Sequence, residues 1–167
     1  MVFPPRNEDR SSSEGARSVT VSTERPPDCD FCSIARGEDP SAEIVREGES
    51  WVAFFPLHPA TLGHTLVIPR SHVADLWKVE PPLGELLITA AIHVGRAIQA
   101  ALAPAGMNLI TSAGETAEQT VFHLHLHLVP RWPGDGFGDI WPPGGLKDEL
   151  ALKDAAAKIR ETCVDGP

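Results

Sequence analysis

The most regular polar and apolar pattern in the chain is Thr120-Val121-Phe122-His123-Leu124-His125-Leu126-His127-Leu128-Val129-Pro130-Arg131. Its period of two is that of a β-strand, so one face carries three imidazoles and the other presents leucines to a core. Upstream, Glu43–Arg46 and Trp51–Phe55 are rich in β-branched and aromatic residues, and they flank Glu47-Gly48-Glu49-Ser50, which reads as a hairpin turn. His64–Pro69 reads as a third strand and Met107–Thr111 as a fourth. After Pro81-Pro82, residues Leu83, Leu86, Leu87, Ala90, Ala91, Val94, Ala97, Ile98 and Ala101 recur at three- and four-residue spacing. They predict a helix over Pro81–Leu102, ended by Pro104 and Gly106. A short helical turn before Gly37 and a last helix from Leu146 to Thr162, with Leu146, Leu150, Ala157 and Ile159 partly buried, complete the pattern. Residues 1–27 hold a serine run, mixed charges and several prolines, and read as a disordered tail. The expected division is a tail over 1–27, a folded domain over 28–145, and a C-terminal helix and tail over 146–167.

Composition narrows the function. A chain of 167 residues suits one domain with a real core and no need of disulfides. A net charge of −9 and a pI near 5.2 argue against a general binder of nucleic-acid polymers or membrane surfaces, which needs a basic field. Any phosphate must therefore be bound locally. No apolar run reads as long enough to span a bilayer and no signal peptide is evident, which places the protein in the cytoplasm. Cys29 and Cys32 form a C-x-x-C while Cys163 lies far away, a spacing that suggests metal binding rather than a disulfide framework. His93, off the helical stripe, and His58, in the loop Pro56–Gly63, read as exposed.

Neighbouring histidines on one strand face have Cα atoms about 6–7 Å apart and the outer pair about 13 Å, so one ion can take two of them but hardly three. Two chemistries fit. A metalloenzyme would use the face directly, since imidazole ligates zinc. Alternatively, a neutral imidazole attacks phosphorus and forms a covalent phospho-histidine, held in the right tautomer by a partner on its other nitrogen. The small-residue loop Ser112–Thr120 can point backbone N–H groups at an anion.

The run His123-Leu-His125-Leu-His127-Leu-Val resembles the signature of the histidine triad (HIT) family of nucleotide hydrolases and nucleotidyl transferases. The likeness extends to Phe31-Cys32-x-Ile34, to Gly63-His64-Thr-Leu-Val-Ile-Pro69 and to Gln119-Thr120-Val121, in order and in spacing. The resemblance implies an α+β HIT-like fold, with a five-stranded, mainly antiparallel sheet, one long packed helix and a C-terminal helix. It implies that His125 attacks the α-phosphorus of a purine nucleotide conjugate, a phosphoramidate or a dinucleoside polyphosphate. His127 would contact the phosphate or leaving group, Gln119 and Thr120 the phosphate oxygens, and His64 would support the triad. Phe31, Ile34, Phe54 and Leu57 match base-pocket positions, although ordinary core is an equal reading for them. Cys29, Cys32, His72 and His123 match a structural zinc set found in some bacterial members, with two buried reduced cysteines as the alternative. The resemblance further implies a homodimer and no organic cofactor.

Three positions depart from the family pattern. Pro56 stands where many members have an Asp that grips the ribose, Ser112 replaces a common Asn near the phosphates, and Glu118 replaces the Gly before the Gln. Glu118 brings a charge and a Cβ to a loop that must approach an anion. Pro56 and Glu118 motivate one rival reading, a slow nucleotide-binding module, and the other rival is the metalloenzyme that uses the histidine face directly.

Overall fold

A computed structural model describes residues 29–141 and 143–163, so the expectations for residues 1–27 and for the last residues fall outside it. The elements run α1 (Asp30–Arg36), β1 (Ile44–Glu47), β2 (Trp51–Phe54), β3 (Thr65–Pro69), α2 (Pro81–Leu102), β4 (Gly106–Ile110), a single 3-10 turn (Glu115–Ala117), β5 (Leu126–Arg131) and α3 (Glu149–Thr162). The five strands form one sheet in the order β1-β2-β3-β5-β4, with every recorded pairing antiparallel. This is the expected α+β architecture.

Alternation along the strands sorts side chains onto two faces. Ala53, Val67, Leu126 and Leu128 face α2, where Leu87, Ala90, Ala91, Val94 and Ile98 complete one core. Val52, Phe54, Leu66 and Ile68 face the other way and pack with Ile34 and Ala35 of α1. Each Leu, Val or Ile side chain removed from water contributes roughly 1.5–3 kcal/mol before entropy is counted, so these two layers carry the fold. Register then decides where the histidines go. Leu66 pairs with His127 and Val67 with Leu126, so the leucines of β5 lie on the α2 side and His127 on the α1 side.

Several local expectations are corrected. The ladder of β5 starts only at Leu126, and residues 121–123 form a bend, so His123 and His125 lead into the strand rather than standing within it. Their imidazoles do not form an open polar face either: His123 and His125 are buried. Ala97 and Ala101 are exposed, because the buried stripe of α2 drifts and Leu102 packs on the core in place of Ala101. In α3 the expected partial burial holds for Ala157 alone, while Leu146, Leu150 and Ile159 are exposed and no residue of the helix is buried. Among the described residues, the larger apolar side chains of that segment are left exposed. The expectation about apolar runs also fails at α2, whose 22 residues and hydropathy of 1.2 are enough by length and composition to cross a bilayer. It reaches that threshold because Ile88 and Ile92 add apolar side chains to its outer face, beyond those buried on the sheet.

The chain reversals that place the site have local causes. α1 ends at Gly37, whose φ of 74° lets its N–H cap the last turn. Pro81 and Pro82 open α2 in its first turn, where no intrahelical donor is lost. Arg70 ties the end of β3 to its surroundings by donating to the carbonyls of Gly48 and Ala35 and pairing with Glu47.

Candidate active site and metal centre

Hydrogen bonds assign the tautomers of the buried imidazoles one by one. A carbonyl can only accept, so the 2.7 Å contact of His125 Nδ1 with the His123 carbonyl places a proton on Nδ1 and leaves His125 Nε2 with a bare lone pair. By the same reasoning His123 Nε2 donates to the Pro69 carbonyl at 2.9 Å, which leaves its Nδ1 bare. His64 Nδ1 accepts the Ala60 N–H at 3.0 Å, so its Nε2–H donates to His127 Nδ1 at 2.9 Å. His127 therefore carries its proton on Nε2. The site thus presents one unprotonated nitrogen on His125 beside one N–H donor on His127, on rings whose centroids are 4.8 Å apart.

Burial keeps these rings neutral. His127 is pushed down to about 4 by burial first and then by the neighbouring His125 and His64. His125 is also lowered by burial, against the opposing pull of its bond to the His123 carbonyl. His64 is lowered by burial. A neutral imidazole is the form that can attack an electrophile.

His123 looks the other way. Its bare Nδ1 lies 3.5 Å from Cys29 Sγ and 3.6 Å from Cys32 Sγ, and His72 Nδ1 lies 3.4 Å from Cys32 Sγ. All four donor atoms fall within 4.8 Å of one another. Zn–S near 2.3 Å and Zn–N near 2.05 Å at a tetrahedral angle put sulfur and nitrogen ligands about 3.6 Å apart, so the spacing fits a closed Cys₂His₂ zinc site. The cysteines reach it because Cys29 caps α1 and Cys32 lies three residues on, which puts both on one face of the first turn.

The other expected site residues divide. Phe31, half-buried, sets its ring edge-on to His125 at 5.3 Å and to Phe54 at 5.4 Å, and so joins the segment entering β5 to the α1-side core. Ile34 and Phe54 belong to that core, while Leu57 is 85% exposed on the β2–β3 loop. Thr120 is exposed and Ser112 half-buried, one at each end of the loop between β4 and β5. Gln119 differs from expectation. Its amide donates to the carbonyls of Ala74 and Val121, and its oxygen accepts the Gly114 N–H, so it has no N–H left to offer a phosphate. It holds the loop instead. His58 and His93 are exposed, as expected.

Some contributors escaped the sequence reading. Thr111 donates its hydroxyl to the His125 carbonyl at 3.0 Å, and its place at the β4 terminus opposite the histidine run was the available signal. The carbonyls of His123 and Pro69 and the N–H of Ala60 are backbone groups and leave no mark in side-chain identity.

The five-stranded antiparallel sheet, the adjoining His125 and His127 rings and the Cys₂His₂ set together point to one family of proteins. The chain belongs to the HIT family: the model described as "HIT domain" matches residues 36–134. The "Protein hit" of Bacillus subtilis (strain 168) is 40% identical over 114 residues, covering 68% of this chain and 78% of the relative. The "Adenylylsulfatase HINT3" of Arabidopsis thaliana is 28% identical over 159 residues, covering 95% of this chain and 79% of the relative. Among solved structures, a Zn-bound histidine triad family protein from Mycobacterium smegmatis superposes with a TM-score of 0.63 at 34% identity, covering 81% of this chain and 98% of that one.

Proposed function

We propose that the protein is a hydrolase or nucleotidyl transferase acting at the α-phosphate of a purine nucleotide conjugate, through a covalent intermediate on His125. The observation that carries this reading is the His125 Nδ1–H bond to the His123 carbonyl, which aims a bare Nε2 at the space beside His127. In the first step Nε2 forms a bond to phosphorus as the bond to the leaving group breaks, and the leaving group departs with its electron pair. The His127 Nε2–H and the Thr120 hydroxyl supply donors to the phosphoryl oxygens or to the departing atom. Attack by water or another acceptor then breaks the P–N bond and restores neutral His125. His64 keeps His127 in its donor tautomer and Gln119 fixes the loop bearing Thr120. Membership of the HIT family supports this reading, and the Arabidopsis relative's name, adenylylsulfatase, supports an adenylyl conjugate as the class of substrate.

A nucleotide-binding module of low turnover is the second reading, favoured by the departures at Pro56 and Glu118 from the family pattern. A metalloenzyme using the histidine face is disfavoured, because His123 turns toward the cysteines and His127 accepts from His64 at Nδ1 and keeps its proton on Nε2, which leaves His125 Nε2 as the one bare imidazole nitrogen of that face. Incubation with adenylyl and guanylyl conjugates decides among them. Wild-type turnover should fall at least about a thousandfold in His125→Ala, as expected for loss of a covalent nucleophile. A labelled nucleotide should also remain on the wild-type protein after acid-free denaturation. Turnover that survives in His125→Ala rules out the covalent route, and tight binding without turnover establishes the module.

The Cys29, Cys32, His72 and His123 set would hold a structural zinc, whose chemistry here would be to cross-link α1 to the segment that leads into β5. The Zn-bound neighbour supports this assignment. Metal analysis of the purified protein should find one zinc per chain, with less than a tenth of that in Cys32→Ser. Well under one zinc in the wild type contradicts the assignment.

The protein further acts as a homodimer through β4 and α2. β4 is an edge strand, Leu109 on it and Ile88 and Ile92 on α2 are exposed, and a groove of about 390 Å³ lined by Ala91, Ile92, Gly95, Met107 and Leu109 runs between them. An exposed apolar edge of this kind invites strand pairing with a second copy. Light scattering should give twice the chain mass for the wild type and the chain mass for Leu109→Lys; a wild-type monomer at micromolar concentration excludes the dimer.

A further inference from the structure

Glu118 has no part in the chemistry above, yet its backbone is unusual. Among the described residues, only Ala103 and Glu118 combine a side chain with positive φ. Ala103 is the C-cap of α2 and precedes Pro104, an ordinary helix end. Glu118, at φ 64°, closes the Glu115–Ala117 turn immediately before Gln119 and Thr120. The left-handed region is unfavourable for any residue with a Cβ, and such outliers concentrate at functional loops.

The loop that carries Glu118 is fixed against the reacting strand. It leaves β4 where Ile110 pairs with His127 and where Thr111 bonds to the His125 carbonyl. It returns through Gln119, whose amide joins Gly114 to the Ala74 carbonyl. Glu118 is exposed on this anchored loop, two residues before Thr120. No cation offsets it nearby in sequence. Residues 51–69 and 107–130, which supply His64, Ser112, Thr120, His125 and His127, contain no Lys or Arg, and their only carboxylates are Glu115 and Glu118. The nearest flanking guanidiniums in sequence, Arg70 and Arg131, pair with Glu47 and Asp135.

We propose that Glu118 is the charge-selectivity residue of this site, disfavouring conjugates whose leaving group is a polyphosphate chain and sparing those with a neutral or singly charged leaving group, such as a phosphoramidate. The assignment rests on the function proposed above and names its substrate class. The cause is like-charge repulsion acting within a Debye length, about 8–10 Å at ordinary salt.

The test compares kcat/KM for adenosine 5′-phosphoramidate and diadenosine tetraphosphate with the wild type, Glu118→Gln and Glu118→Gly, at low and at physiological salt. Both variants should raise the tetraphosphate value about three- to tenfold at low salt, with the gain shrinking as salt rises. The phosphoramidate value should change less than about twofold, because its leaving group carries no charge. The proposal is overturned if the tetraphosphate value is unmoved in both variants, or if both substrates gain equally. A gain in Glu118→Gly alone also overturns it, since that substitution relieves the backbone as well as removing the charge. Should the wild type turn over neither conjugate, the proposed function fails separately, and equilibrium binding decides the charge rule. Tighter tetraphosphate binding in both variants then supports it, and equal affinities overturn it.

Discussion

The site depends on how one residue, His123, is held. Its ring lies between the Pro69 carbonyl and the two cysteine sulfurs, while its own carbonyl receives the Nδ1–H of His125. The same peptide therefore belongs to the metal centre through its side chain and to the reacting centre through its backbone. A shift of His123 would turn the His125 ring and with it the bare nitrogen, since hydrogen bonds weaken steeply away from linear geometry. The sheet ladder cannot supply this constraint, because it begins only at Leu126. Side-chain bonds, the α1 contact and one backbone bond, from the Leu124 N–H to the Val73 carbonyl, do the holding that strand pairing does elsewhere.

A second chain of bonds, from the Ala60 N–H through His64 to His127, complements the first. It starts in the β2–β3 loop, crosses to β5 on the same sheet face, and fixes a donor where His123 fixes an acceptor. Both chains run through neutral rings that are buried or, at His127, half-buried, where a misplaced proton would leave a polar atom without its partner. Burial thus serves the chemistry in two ways: it lowers the pKa of His125 and His127, and it makes the alternative tautomers costly.

Much of this was legible in the sequence. Strict alternation from His123 to Leu128 separated the histidine side from the leucine side, and the register of Leu66 with His127 and Val67 with Leu126 bears that out. The spacing of Leu87, Ala90, Ala91, Val94 and Ile98 located the core face of α2. The grouping of Cys29 and Cys32 with His72 and His123 came from family resemblance, and the structure gathers those four residues. Period alone could not show that the alternating run enters its strand late, because an extended chain alternates whether or not it is paired. Nor could it show that Gln119 bonds to backbone rather than facing a phosphate, since carbonyls and amides carry no sequence signal. α3 misled for a different reason. Its amphipathic pattern predicts burial, but Leu146, Leu150 and Ile159 find no partner surface within the described chain.

The central claim is the set of tautomers, and nitrogen NMR of histidine-labelled protein at neutral pH reads them directly. The account predicts that His125 is protonated on Nδ1, and that His64 and His127 are protonated on Nε2. Replacing His64 with Phe should release His127 to a mixture of tautomers and leave His125 unchanged. A proton found on Nε2 of His125 in the wild-type protein would contradict the account, because the nitrogen assigned to attack phosphorus would have no lone pair to offer.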